Sequence, residues 1–141
     1  MYDENLYSRQ IAVFGKDEMK SLINSKVKVI GIDGSSYELC KNLVLSGIGE
    51  LCISESRSMK DDDLSVIYSA NYEDINKPVN EVARRFLSEL NPNVKILFED
   101  YNNYDIHYDT YVLSNGKLEY ALKLNKFTRE NNLSFIWLNT Y

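Results

Sequence analysis

Apolar residues along the chain change their spacing abruptly in one stretch, and the other elements are read outward from it. Lys26-Val27-Lys28-Val29-Ile30 is a β-branched run that stops at the turn Gly31-Ile32-Asp33-Gly34-Ser35-Ser36. Beyond the turn Leu39, Cys40, Leu43 and Val44 recur at helical intervals up to Gly47-Ile48-Gly49, and Leu51-Cys52-Ile53 opens a second apolar strand. A strand, a glycine turn, a helical stripe and another strand predict a βαβ unit, since parallel neighbours need a crossover of helix length.

The alternation continues downstream. Val79, Val82, Ala83, Phe86, Leu87 and Leu90 lie on one helical stripe with Arg84, Arg85, Ser88 and Glu89 opposite, and Asn91-Pro92-Asn93 stops it. A third strand is expected over 94–98, with enough alternation to sit nearer a sheet edge than the first. A fourth over 110–113 ends at Ser114-Asn115-Gly116. Residues 118–131 predict a third crossover helix with Leu118, Ala121 and Leu122 facing inward, and 133–138 a fifth strand. Ahead of the first strand, residues 1–24 form an N-terminal helical segment. It holds a short helix or turn closed by Gly15, then 16–24 with Met19, Leu22 and Ile23 on one face. The expected fold is α/β: a Rossmann-like doubly wound, mostly parallel five-stranded sheet over 25–141, with helices on both faces and two short helices before it.

The polar connections add little chemistry. Asp61-Asp62-Asp63 reads as a solvated loop or a helix start favoured by the helix dipole rather than as a metal-ligand set. Residues 99–109 mix tyrosines and asparagines with acids but contain no Lys or Arg, so they lack the cationic half of a nucleic-acid surface and read as a solvent-facing connection. With 16 basic against 21 acidic residues the net charge is −5, which also disfavours nucleic acid. The 141 residues amount to one domain or part of one. There is no secretory signal, lipidation motif or twenty-residue apolar span, so the default is a soluble intracellular protein with no membrane partner. Cytoplasm and nucleus are the expected locations. Cys40 on an apolar helix face and Cys52 inside a strand, with no C-x-x-C spacing, read as buried thiols. His107, the one histidine, reads as a surface residue, so neither a metal centre nor a Ser/His/Asp triad has candidates.

The glycine turn is the remaining candidate, and it is interrupted. A phosphate cradle of the form G-x-G-x-x-G brings backbone N–H groups and a helix N-terminus to a pyrophosphate. Gly31 fills the first position, but the second holds Asp33 and the third Ser36. A carboxylate beside phosphate costs on the order of several kcal/mol at a protein-surface dielectric. The turn residues Gly31, Asp33, Gly34 and Ser36 are therefore expected to be structural, with Ser35 or Ser36 as N-cap, and no nucleotide is expected there. Glu55 stands after the second strand, where an acid could hold a ribose.

Several segments taken in order resemble a known family. They are Leu6-Tyr7-Ser8-Arg9-Gln10, Val13-Phe14-Gly15-Lys16 with Met19, the glycine turn, Lys41-Asn42-Leu43-Val44-Leu45-Ser46-Gly47, Asp63-Leu64-Ser65, Asp74-Ile75-Asn76-Lys77-Pro78 and Glu89-Leu90-Asn91-Pro92. Together they resemble the amino-terminal half of ubiquitin-activating enzymes, which belong with the MoeB/ThiF-like adenylating proteins. Tyr7-Ser8-Arg9-Gln10 and Phe14-Gly15-Lys16 look more like the single-chain ubiquitin enzyme than the separate small subunits. The resemblance implies two paired adenylation folds, one active and one inactive, and assigns this chain to the inactive half. Where active members carry an arginine over the phosphates this chain has Val66; where they carry a lysine after the proline region it has Val79; and Asn115 replaces the metal-associated aspartate.

By the same resemblance Arg9 matches the arginine that reaches in trans into the partner half's ATP site. ATP and Mg would be bound by that active half and by no group here, and the modifier would be ubiquitin or a ubiquitin-like protein. The family continues past this region with more sheet and a domain bearing the thioester cysteine. The chain is accordingly expected to be a fragment with uncovered apolar surface and an open sheet edge, which favours association with a partner or another copy. The alternatives are a small regulatory subunit of a heterodimeric activating enzyme, a pure interaction module of such a pathway, and a stand-alone nucleotide-binding Rossmann module using Glu55.

Overall fold

The structure, a computed structural model, describes residues 4–99 and 103–139. Its elements are α1 (Ser8–Phe14), α2 (Lys16–Asn24), β1 (Lys26–Ile30), α3 (Gly34–Ser46), β2 (Glu50–Ser54), α4 (Val79–Leu90), β3 (Lys95–Glu99), β4 (Thr110–Ser114), α5 (Leu118–Glu130) and β5 (Ser134–Leu138), with 3-10 turns at Asp61–Ser65 and Tyr72–Asp74. All four strand pairings are parallel, in the order β3-β2-β1-β4-β5. The chain enters at the centre, winds out through β2 to β3, then returns to the other side of β1 as β4 and β5. That reversal between β1 and β4 is the switch point where a doubly wound sheet opens its crevice.

Both faces of β1 are buried from Val27 onward, as expected for a central parallel strand. Val27 and Val29 join Tyr37, Cys40, Val44, Val82, Ala83 and Leu87 under α3 and α4. On the other face Ile30 meets Tyr108, Tyr111, Leu113, Ala121 and Leu124 under α5. Lys28 also points to that face and is fully buried. Its ammonium donates to the Glu99 carboxylate and the Asn103 carbonyl, and lies 5.3 Å from the centroid of the Tyr108 ring.

This arrangement corrects part of the expectation of a solvent-facing 99–109 connection: Asn103, Ile106, His107 and Asp109 are exposed, but the tyrosines turn inward. Tyr108 is buried and its hydroxyl donates to Glu99 at 2.7 Å, while Tyr104 packs edge-on against Tyr120. Residues 100–102 of that connection lie outside the described residues. The physical reason is the buried lysine: a desolvated ammonium requires acceptors, and Glu99 at the end of β3 and the Asn103 carbonyl of this connection supply them.

A second correction concerns α5, whose inward face is Ala121, Leu124 and Thr128, while Leu118 and Leu122 are exposed. The aromatic flank formed by Tyr120 and Phe127 packs on Tyr104 and Tyr111, and this rotates the leucines away from the core.

The N-terminal helices sit at the far end of α3. Tyr7 and Met19 are buried, Asn91 Nδ2 donates to the Tyr7 hydroxyl at 2.9 Å, and Gln10 donates to the Ser46 carbonyl at 3.3 Å. Gly47 ends α3 in the left-handed region at φ +83°, and a Cβ there would come within 2.6 Å of the Tyr7 ring. Both cysteines are buried and unbridged. Burial pushes the Cys40 thiol up to about 12 and the Cys52 thiol up to about 11, so both stay protonated and unreactive. His107 is partly exposed but tied down, with Nε2 2.6 Å from Glu50 and Nδ1 3.4 Å from the Lys26 ammonium.

Candidate functional site

The crevice at the switch point is built from the turn after β1, the segment after β2 and the end of β4. Gly31 makes the first bend at φ +85°, and a Cβ there would lie 2.9 Å from the Ser114 carbonyl oxygen, so both its conformation and its space exclude a side chain. Two residues on, Asp33 caps α3. Its Oδ1 accepts the Ser36 N–H at 2.9 Å, and the Ser36 hydroxyl accepts the Asp33 N–H at 2.8 Å. The N-cap is thus Asp33 rather than Ser35 or Ser36. The helix already starts at Gly34, which leaves Ser36 to close the reciprocal box from the third helical position.

The other oxygen of Asp33 faces β4. Oδ2 accepts from the Ser114 hydroxyl at 2.5 Å and from the Asn115 side-chain amide. Asn115 is itself at φ +49°, a left-handed conformation that asparagine tolerates. Burial raises the Asp33 pKa, but hydrogen bonds from Ser114, Ser36 and Asn115 together outweigh it and leave the carboxyl below its ordinary value. The N-terminus of α3, where a doubly wound fold receives an anion, therefore carries a resident ionised carboxylate.

A cation whose charge is favoured by that carboxylate is Arg57, which sequence reasoning missed. Its Nη1 and Nη2 grip Asp63 at 2.6 and 2.8 Å, Nη2 also donates to the Ile32 carbonyl at 2.8 Å, and Nε lies 3.5 Å from Glu55. The available signal was its place two residues after Glu55 and six before Asp63. Asp63 is the buried member of the acidic triplet and also accepts the Lys60 N–H at 2.8 Å, while Asp61 and Asp62 are exposed. Burial raises the Asp63 pKa and the Arg57 and Lys60 hydrogen bonds more than reverse it. Among the described residues no group of three or more His, Cys, Asp or Glu could hold a metal ion.

Glu55 is equally committed. One oxygen accepts the Ile32 N–H at 3.1 Å and the other accepts the N–H groups of Ser56 and Arg57 at 2.8 and 3.1 Å. It staples the end of β2 to the glycine turn. Val66 lies over Gly34, where an added Cβ would approach it to 3.1 Å, and Val79 is fully buried at the start of α4. The crevice sets three carboxylates, Asp33, Glu55 and Asp63, against two cations, the Arg57 guanidinium and the Lys60 ammonium near Asp63, so its field disfavours a triphosphate. ATP does not fit this set of residues as they stand.

Arg9 is in a different place. It is exposed on α1 and makes no hydrogen bond or ion pair with any described residue. It borders a hollow of about 360 Å³ with Leu6, Gln10, Leu45 and Pro92. Its neighbour Gln10 bonds the last residue of α3, whereas Asp33 caps the first. Thirteen helical residues separate the two ends, about 20 Å at 1.5 Å per residue. The structure does not bring Arg9 and the glycine turn together.

Comparison with known proteins agrees with this architecture. Residues 7–105 match the ThiF family. The chain is 34% identical over 138 residues to ubiquitin-activating enzyme E1 1 of Candida albicans, covering 95% of this chain and 13% of that enzyme. It is 31% identical over 146 residues to SUMO-activating enzyme subunit 1 of Dictyostelium discoideum, covering 99% of this chain and 44% of that subunit. The fold matches E. coli MccB with a TM-score of 0.80 at 24% identity, over 97% of this chain and 42% of MccB. It also matches E. coli tRNA N6-threonylcarbamoyladenosine dehydratase, solved in complex with AMP, with a TM-score of 0.80 at 14% identity, over 95% of this chain and 58% of that one. The chain thus spans about an eighth of the curated ubiquitin-activating enzyme it matches and under half of the SUMO-activating subunit. The matched residues run from the buried Tyr7 through the whole of the β1–α3–β2 unit and on past β3, and the chain belongs to the ThiF family.

Proposed function

We propose that this chain is the non-catalytic adenylation half of an enzyme that activates ubiquitin or a ubiquitin-like modifier. It pairs with an active half that binds ATP and Mg, and lends Arg9 to that partner's ATP site. The observation that carries this reading is the Asp33 carboxylate, which occupies the N-terminus of α3 and is held ionised by Ser36, Ser114 and Asn115. A half whose anion-binding position is filled by its own side chain is a scaffold rather than a nucleotide site. Val66, Val79 and Asn115 stand at the positions where an active half needs charge for phosphoryl chemistry.

In the reaction, a carboxylate oxygen at the carboxy terminus of the modifier attacks the ATP α-phosphorus, and the bond to the bridging oxygen breaks to release pyrophosphate. An arginine supplied in trans holds phosphate oxygens through paired N–H donors, which a lysine cannot do. The exposed, unengaged guanidinium of Arg9 supports this assignment. The similarity to both a ubiquitin-activating enzyme and a SUMO-activating subunit is compatible with the role in a single long chain or in a two-subunit enzyme. Thioester formation belongs to residues other than the buried Cys40 and Cys52.

The test is ATP–pyrophosphate exchange by the complete enzyme. Arg9→Ala should slow exchange about a hundredfold or more, with Arg9→Lys recovering little of it; unchanged exchange removes Arg9 from the mechanism. Calorimetric titration of the 141-residue chain with ATP and Mg should show no saturable binding, and micromolar binding would favour the stand-alone nucleotide module instead.

A further inference from the structure

Arg9 is carried by an element that does little to hold itself in place. α1 has seven residues, none of them buried, and Val13 and Phe14 are turned to solvent. A helix of that length is not stable on its own hydrogen bonds. Its last turn runs through Gly15, at φ +99°, directly into α2. The Lys16–Glu4 ion pair beside it, at 3.0 Å, is exposed and contributes little. The seat of α1 on the sheet domain is therefore set by the side chains that reach back from it.

Two such side chains stand on either side of Arg9 in the sequence. Tyr7, immediately before α1, is buried, and its ring fills the space that Gly47 leaves by having no Cβ. Its hydroxyl accepts from Asn91 Nδ2 at 2.9 Å. The same buried amide donates to the Val44 carbonyl at 3.1 Å, and Asn91 Oδ1 accepts the Asn93 N–H at 3.1 Å. Asn91 is thus a fixed post that joins the end of α3, the turn after α4 and Tyr7. Gln10 stands three residues after Tyr7 and so shares its face of the helix, and it donates to the Ser46 carbonyl at 3.3 Å. Arg9 is turned about 100° from Gln10 around the helix, leaves that face and is exposed.

We propose that Tyr7 and Gln10, with Asn91 behind Tyr7, are positioning residues for Arg9: they hold α1 in one register on the C-terminal end of α3, so that the guanidinium is presented from a fixed base. This inference rests on the assignment of Arg9 to the partner half's ATP site. Apolar contacts alone would attach α1 as firmly, but they are not directional, whereas hydrogen bonds on both sides of Arg9 fix its orientation as well as its distance. An arginine on a loosely seated helix has to be ordered each time it engages phosphate. A pinned one has lost that freedom on folding, and a misplacement of about 1 Å at a reacting group can cost on the order of a hundredfold in rate.

ATP–pyrophosphate exchange by the complete enzyme tests the proposal as a double-mutant cycle with Arg9. Tyr7→Phe removes the acceptor and keeps the ring; Gln10→Met removes the donor and keeps the length. Each should slow exchange about three- to tenfold in the enzyme that has Arg9. Neither should slow it further in the Arg9→Ala enzyme, where nothing is left to position. A side chain that only holds the fold together costs the same in both backgrounds, so a loss that persists without Arg9 overturns the proposal. So does exchange that Arg9→Ala slows while Tyr7→Phe and Gln10→Met both leave it at full rate, a result that spares the assignment of Arg9. If Arg9→Ala itself leaves exchange unchanged, that assignment falls and this inference falls with it.

Discussion

The two ends of α3 are built on opposite terms. At its N-terminus Asp33, Glu55, Arg57 and Asp63 satisfy one another, the backbone and the end of β4. At its C-terminus the Arg9 guanidinium stands free of described partners, and Leu6 and Leu45 meet solvent. Where a fold could receive a ligand, this chain spends its polar groups on itself and gains stability. Where it leaves polar and apolar groups unspent, they face solvent. If that contrast is right, substitutions at the first end should be read in folding and those at the second in activity.

The sharpest way to break the contrast is Arg57→Ala. It strands Asp63 and part of Glu55 in a half-buried crevice, and should lower stability by about 2–4 kcal/mol in urea unfolding, because a buried carboxylate loses its counter-charge. Asp33→Ala should cost about 1–2 kcal/mol by removing the cap and orphaning the donors on Ser36, Ser114 and Asn115. Its pH signature sharpens the assignment. Asp33 and Asp63 both have folded pKa values depressed below the unfolded carboxyl value. Their contribution is present above about pH 4 and disappears as pH falls through the folded values. Unfolding measured between about pH 7 and about pH 3 should lose stability more steeply in the unmodified chain than in Asp33→Asn. The smallest effect should come from the other end, where Arg9→Ala should change stability by no more than about 0.5 kcal/mol in the same assay. A large loss there would show that Arg9 has a structural role and that the two ends do not differ as described.

The strands and crossovers were legible because local pattern decides them. The run from Lys26 and the stripe from Val79 each carry their period in adjacent residues, and the order of alternation leaves a parallel sheet as the only economical topology. The interrupted turn was legible too, since Asp33 stands where a side chain is not tolerated beside phosphate. What could not be read was partnership across distance. Arg57 looks like a loop cation until β2 and the 3-10 turn at Asp61–Ser65 bring Asp63 to it. The inward face of α5 depends on Tyr104 and Tyr111, which no helical wheel contains. The tyrosine-rich connection looks solvent-facing because its acids and aromatics give no hint that Lys28, some seventy residues earlier, needs them.

That buried ammonium also constrains how the chain reaches its final form. Lys28 sits on the strand laid down first at the centre of the sheet, yet its two acceptors, Glu99 and Asn103, arrive 71 and 75 residues later. A compact state in which Tyr108 and α5 covered that face before Glu99 and Asn103 were in place would strand a cation in an apolar layer at considerable cost. The Lys28 contacts therefore tie the centre of the sheet to its β3 edge: that layer is sealed at low cost only with the edge docked.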